Sequence, residues 1–192
     1  MRRSKATSSS DKEPDRRSRA TPGLFGANGW RIGFHGQLLL QLEKLLEAVE
    51  EERRRHPGRP ARSQAAQILA SLRKLMFVDV PADPSREIYR HGGTLRGSRK
   101  HWFRAKFGNG RYRLFFRFRT SEKVLIFAWV NDENSLRTYG SSTDAYVTFA
   151  GMLDRDDPPD DWDALLEACT RPEVVQRFRR ILDRISNGGG DS

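Results

Sequence analysis

Cysteine is almost missing: Cys169 is the only one in 192 residues. That excludes an internal disulfide framework and a cysteine-rich metal site. Histidine is sparse, and His35, His56, His91 and His101 fall at no spacing that sets two ligands on one helical face. Long apolar runs are lacking. The longest, Val124 to Val130, is far too short to span a membrane. The first residues, Met-Arg-Arg-Ser-Lys, lack the apolar core of a secretory signal. No GxxxxGK[ST] loop is present to cradle a nucleotide phosphate. Negative charge is in deficit, with 25 Asp and Glu against 35 Lys and Arg, a net charge of +10. What remains is a soluble basic chain, expected in the cytoplasm, with polyanions as natural partners and nucleic acid first among them. Its length suits one ordinary domain with tails.

The positive charge is concentrated. Between Arg86 and Arg119 stand eleven cations against Glu87 alone, an excess equal to the charge of the whole chain. The stretch Asp154 to Glu167 is the acidic counterpart. Such acidic runs usually cap a helix or solvate a loop.

Residues 1–26 are rich in Ser, Arg and Pro without apolar periodicity, and read as a disordered basic tail. Trp30 to Phe34 alternates as a strand does. Leu38, Leu42, Leu45 and Val49 recur at helical spacing and predict a helix ending near His56, before Pro57-Gly58. Pro60 is placed to start a second helix carrying Ala65, Ile68, Leu69, Leu72, Leu75 and Met76, so the two form a helical hairpin. Pro81 to Lys100 is loop-like. Val124 to Val130 is apolar on both faces and predicts a central strand covered on both sides. Further helices are predicted from Thr143 to Leu153, from about Asp161, and along Val174, Phe178, Ile181 and Ile185. The fold class is α+β, with a helical hairpin packed on a small antiparallel sheet and helices at the C-terminal end. The body spans residues 27–170, followed by an amphipathic helix and a Gly-rich tail over 171–192.

The clearest local signal is Asn109-Gly110 between two alternating runs, a turn pair that tolerates positive φ at both positions. With those residues as the loop, Lys106 faces Arg113, Arg104 faces Phe115, and Phe103 faces Phe116. One face of the hairpin is then apolar, with Phe103, Ala105, Phe107, Tyr112, Leu114, Phe116 and Phe118. The other carries Trp102, Arg104, Lys106, Arg113, Phe115 and Arg117. Such a face suits single-stranded nucleic acid: cations neutralise phosphates while Trp102 and Phe115 stack on bases. The alternative is a face packed under a helix, with arginine stems covering the rings. Cys169 reads as a packed small residue.

Cleavage of RNA can proceed without a metal, because the neighbouring 2′-hydroxyl supplies the nucleophile. The protein must take a proton, stabilise charge on the phosphate, and protonate the leaving oxygen. His91, in a loop among cations, is one candidate for proton transfer.

Several runs together resemble one family. They are Asn28-Gly29-Trp30, Tyr89-Arg90-His91-Gly92, Lys106 to Arg117 (KFGNGRYRLFFR), and Asn131 to Gly140 (NDENSLRTYG). The later Thr143-Asp144-Ala145-Tyr146 and Pro158-Pro159-Asp160-Asp161-Trp162 fit it too. The chain resembles the YhaV toxins, of the RelE/ParE-like superfamily, from about Asn28 to Thr170. The resemblance implies an endoribonuclease that cuts messenger RNA, in many relatives at the ribosome. It also implies the toxin role in a type II toxin–antitoxin system, and a cognate AbrB-like (PrlF-type) antitoxin as partner. No cofactor is implied.

By the same resemblance the catalytic set comprises Arg104, Lys106 and Arg113 from the hairpin and Arg137 and Tyr139 beyond the last strand, with Tyr146 a substitute for Tyr139; the loop position of His91 adds it to the set. Arg90, Trp102, Arg111, Phe115 and Arg117 form the RNA-binding set. The polar stretch Asn131 to Asn134 departs from RelE-like nucleases, which are more basic there. Two other readings stay open: a non-enzymatic inhibitor of the ParE kind, and a plain RNA-binding module.

Overall fold

The computed structural model describes residues 23–90, 95, 99–135 and 144–187. A five-stranded sheet runs through the middle. Its strands are β1 (Phe25–Ala27), β2 (Trp30–Phe34), β3 (Phe103–Phe107), β4 (Tyr112–Arg119) and β5 (Val124–Val130), in the spatial order β1-β2-β5-β4-β3. Helices α1 (Gly36–Arg55) and α2 (Gln64–Lys74) form the helical hairpin. Helices α3 (Ala145–Asp154), α4 (Trp162–Thr170) and α5 (Pro172–Asn187) follow the sheet.

The sheet is mixed, not wholly antiparallel. β2 lies parallel to β5, with Ile32 opposite Leu125, while every other pairing is antiparallel. β3 and β5 are each antiparallel to β4, so both run in the same sense as β2. As expected from its two apolar faces, β5 is central and buried along its whole length.

The strand β1 lies at the edge of the expected tail. Asn28 and Gly29 both have positive φ, 48° and 77°, and close a second Asn-Gly hairpin onto β2. Residues 1–22 lie outside the described residues. Helix α2 begins at Gln64 and not at Pro60. Ser63 is its N-cap, with Oγ accepting from the Ala66 amide at 3.3 Å. The Glu52 carboxylate takes the amide of Arg62 at 2.8 Å. Beyond Lys74 the helix widens into a π turn over Leu75–Asp79 before Val80–Ala82. Pro81 has no N–H to give and its ring would crowd the carbonyl one turn back, which a wider turn relieves.

Two apolar cores flank the sheet. On one side Phe34, Leu38, Leu39, Leu42, Leu72, Phe116, Phe127 and Phe178 join β-strands to α1, α2 and α5. On the other, Trp102, Phe115, Ile126, Trp129, Phe149, Trp162 and Leu165 join them to α3 and α4. Cys169 sits within this second core, 2 % exposed, and burial pushes its thiol pKa up, so it is a packing residue.

His35 gives one stability prediction. It is buried, and its Nδ1 accepts the Gln37 amide at 3.3 Å as the N-cap of α1, which needs the neutral ring. Burial lowers its pKa from 6.5, against the attraction of Asp157, 3.7 Å from Nε2, and with repulsion from Arg171. The folded protein therefore binds fewer protons here than the unfolded chain, so this stability is present above pH 6.5 and is lost as the pH falls. Melting temperature should drop between about pH 7 and pH 5, and a His35→Asn variant, which keeps an acceptor for the cap, should flatten that drop. A slope unchanged by the substitution would contradict this.

Candidate nucleic-acid interface

The β3–β4 hairpin holds the expected register. Phe103 pairs with Phe116, Arg104 with Phe115, Ala105 with Leu114, Lys106 with Arg113 and Phe107 with Tyr112. The Arg111 amide donates to the Gly108 carbonyl at 3.1 Å, closing the turn over Asn109 and Gly110, both of positive φ. Gly108 also has φ +57°, and a Cβ there would come within 2.7 Å of the Tyr112 ring, so the tip requires glycine. This rigid turn places Arg104 and Arg113 on one side of the sheet.

That side is not an open basic face. Helix α3 lies over it, and Tyr146, in its first turn, reaches between the two arginines. Arg104 Nε donates to the Tyr146 hydroxyl at 2.9 Å, and its Nη1 donates to the Ile88 carbonyl at 2.6 Å. The Arg113 guanidinium lies over the Tyr146 ring, 5.5 Å from its centroid, and donates through Nη1 to the Gly110 carbonyl at 2.9 Å. Both arginines are buried, at 7 % and 4 % exposure. Among the described residues the buried Arg113 Nε has no hydrogen-bond partner. Among the described residues no carboxylate forms an ion pair with Arg104, Lys106, Arg111 or Arg113. Positive charge at the hairpin tip is therefore not neutralised by a neighbouring carboxylate among the described residues. Lys106, opposite Arg113 in the register, and Arg111 are exposed beside it.

Two expected stacking residues are placed elsewhere. Trp102 and Phe115 are fully buried. Phe115 stacks on Phe149 of α3 at 4.2 Å, and Trp102 meets the same ring edge-on at 4.9 Å. The Trp102 indole donates to Asp160 at 2.7 Å. Neither ring has a face for a base, because α3 already occupies it. Arg117 also turns inward: it packs between Trp102 and Trp162, at 5.3 and 5.4 Å, and donates to the Asp160 carbonyl at 2.6 Å. Burial lowers its pKa, with Asp160 opposing. Covering these cations is affordable because carbonyls and aromatic faces replace water around each guanidinium.

Asp160 also receives His101, with Nε2 at 2.8 Å. Burial would raise its pKa, but the bonds from His101 and Trp102 outweigh that and hold it below the ordinary carboxylate value. The acidic run therefore pins the α3–α4 connection to the start of β3, and Asp161 caps α4 by accepting the Ala164 amide at 2.9 Å. Arg90 is exposed, with its guanidinium 5.5 Å from the Phe103 ring centroid. His91, Arg137 and Tyr139 lie outside the described residues.

Sequence reasoning passed over Asn131 as merely polar. Its side chain is buried and bonds to three backbone groups: it accepts the Arg113 amide at 2.6 Å and donates to the carbonyls of Arg111 and Ser135 at 3.2 and 3.0 Å. An asparagine immediately after a buried strand run was the available signal, since an amide there must find both donors and acceptors.

A family model described as a toxin with endonuclease activity, of a toxin–antitoxin system, matches residues 32–170. The chain is 43 % identical over 141 residues to toxin YhaV of Escherichia coli O6:H1, covering 73 % of this chain and 92 % of the relative. It is 44 % identical over 139 residues to the ribonuclease toxin YhaV of Escherichia coli K12, covering 72 % and 90 %. Among solved structures, the toxin–antitoxin complex RelBE2 of Mycobacterium tuberculosis aligns at 19 % identity and TM-score 0.37, over 57 % of this chain and 97 % of that one. The chain belongs to the YhaV toxin family, the toxins with endonuclease activity of toxin–antitoxin systems.

Proposed function

We propose that this toxin is an endoribonuclease that cleaves messenger RNA, in association with the ribosome, at the cluster built from Arg104, Lys106 and Arg113 around Tyr146. The observation that carries this reading is the convergence of two buried arginines on one tyrosine, with the Arg113 Nε left without a partner. A scissile phosphate at the hairpin tip would meet the exposed ammonium of Lys106, with the buried Arg113 guanidinium behind it as a fixed positive charge. Arg90 and Arg111, both exposed, hold neighbouring phosphates and set a salt-dependent affinity.

The reaction needs no external nucleophile. The ribose 2′-oxygen attacks phosphorus while its proton passes to a base, the bond to the 5′-oxygen breaks, and an acid protonates that oxygen. A 2′,3′-cyclic phosphate and a 5′-hydroxyl result. Arg104 and Arg113 stabilise the charge gathering on the phosphate, with Arg137 as a further cation. Tyr139 and His91 are the proton-transfer groups, with Tyr146, which touches both arginines, as the substitute for Tyr139. The partner that restrains this activity is an AbrB-like antitoxin, whose acidic segments complement the basic hairpin tip.

The test compares one oligonucleotide as RNA, as DNA, and as RNA with a single 2′-deoxy residue at the cut site. Each is incubated with the purified toxin, with and without translating ribosomes. Cleavage of the RNA alone, leaving a cyclic phosphate end, is expected. Equal cutting of the 2′-deoxy substrate would overturn the mechanism, and activity unaltered by ribosomes would remove the ribosomal part of the reading.

A further inference from the structure

We infer that Asn131 is a positioning residue for the nuclease site: its side-chain amide replaces a strand peptide at the end of the sheet and holds Arg113 in place. This rests on the assignment of Arg113 to the site. Pairing between β4 and β5 runs from Arg119 opposite Val124 to Leu114 opposite Val130. Beyond Val130 the chain leaves the ladder for a 3₁₀ turn over Glu133–Ser135. Arg113 is the next residue of β4, so its peptide would lose its partner there. Asn131 supplies one. Its Oδ1 accepts the Arg113 amide at 2.6 Å, and its own backbone N–H points to the Arg113 carbonyl at 3.4 Å.

The same amide group ties down two further carbonyls. Nδ2 donates to Arg111 at 3.2 Å and to Ser135 at 3.0 Å. The Arg111 carbonyl also lies 3.4 Å from Arg113 Nη1, so Asn131 fixes part of the seat on which the guanidinium rests. The turn that presents the Ser135 carbonyl is itself closed: Asp132 Oδ1 accepts from Ser135 Oγ at 2.8 Å and from the Asn134 amide at 3.0 Å. Asn131 is 2 % exposed, so water cannot substitute for these bonds. An amide is required chemically. It offers one acceptor to an N–H and two donors to carbonyls, whereas a carboxylate would keep the acceptor but put an oxygen in place of the NH2 and turn its lone pairs toward both carbonyls. Arg113 is thus held at its backbone by Asn131, at its guanidinium by the Gly110 carbonyl, and across its face by Tyr146.

The test is cleavage by Asn131→Ala and Asn131→Asp proteins, each measured with and without Arg113→Ala, with melting curves for all. Loss of the clamp lets Arg113 drift, and a displacement of the order of 1 Å costs up to about 10²-fold in rate. Asn131→Ala should therefore lower kcat by about 10- to 100-fold, with KM changed by less than about 3-fold. In the Arg113→Ala background the same substitution should change kcat by less than about 3-fold, because its effect passes through Arg113. A purely structural role would lower the melting temperature and leave the two effects on kcat multiplicative. Asn131→Asp keeps the volume and the acceptor, so it reads the donor function even where the alanine variant fails to fold, and it too should lose kcat. A folded Asn131 variant with normal kcat, or equal losses in both backgrounds, would overturn the inference. Full activity of Arg113→Ala alone would instead sink the site assignment beneath it.

Discussion

Arg113→Ala should lower the rate of RNA cleavage at saturating substrate by about 10²–10³-fold, the effect expected when a donor to a developing charge is removed. Among the hairpin cations Arg113 is the one fixed at every level. Its peptide is in β4, its guanidinium is seated on the Gly110 carbonyl, and its face lies on Tyr146. Arg113→Lys keeps the charge and loses Nε and the planar fork, so it should recover only part of the rate. Stability should fall as well, by about 1–3 kcal/mol, because the contacts to the Gly110 and Arg111 carbonyls and the packing on Tyr146 are lost together. Arg119 provides the contrast. It pairs with Glu122 and lies 4.7 Å from the Trp162 ring centroid, away from Tyr146. Arg119→Ala should leave kcat near normal and act on affinity, more at low salt than at high. Near-normal cleavage by a folded Arg113→Ala protein would move the chemistry to Tyr139, Arg137 or His91.

The parts of this arrangement that could be read from sequence are those set by neighbours in the chain. Two strands of period-two alternation and an Asn-Gly turn leave a single register, and that register alone puts Arg104 and Arg113 on the same side. What covers that side was not legible. An alternation of arginine and aromatic residues looks the same whether the rings meet bases or a helix, and α3 arrives from more than thirty residues away. Trp102 and Phe115 were therefore read as stacking platforms when they are the floor of the second core. The parallel pairing of β2 with β5 is non-local in the same way. The strand β1 had a local signal, Asn28-Gly29, but its flanking strand of Phe25–Ala27 is too short to show alternation.

Phe178→Ala should destabilise the protein by about 3–5 kcal/mol, the usual cost of removing a buried aromatic ring. At about 2–4 °C per kcal/mol for a chain of this size, the melting temperature should fall by roughly 10 °C. Helix α5 lies beyond the segment matched by the family model, which ends at residue 170, yet it is built into the first core. Phe178 is 2 % exposed, stacks on Phe34 at 3.9 Å and meets Phe25 edge-on at 4.4 Å, with Ile181 buried one turn further. The helix also carries ion pairs to α1, Arg184 to Glu50 at 2.9 Å and Arg177 to Glu43 at 3.3 Å. The Arg184 bond lowers the Glu50 pKa, but these side chains are a quarter or more exposed and water screens them. Such pairs contribute about 1 kcal/mol or less each, so the apolar stripe, not the charges, attaches the helix. Glu50→Gln should accordingly move the melting temperature by no more than about 3 °C. Because Phe178 packs on the sheet face opposite Arg113 and Tyr146, cleavage measured well below the melting temperature should be unchanged in Phe178→Ala. Loss of cleavage by the folded variant would show that α5 reaches the nuclease site through the sheet, and a melting temperature equal to that of the unaltered protein would show that the helix is dispensable to the core.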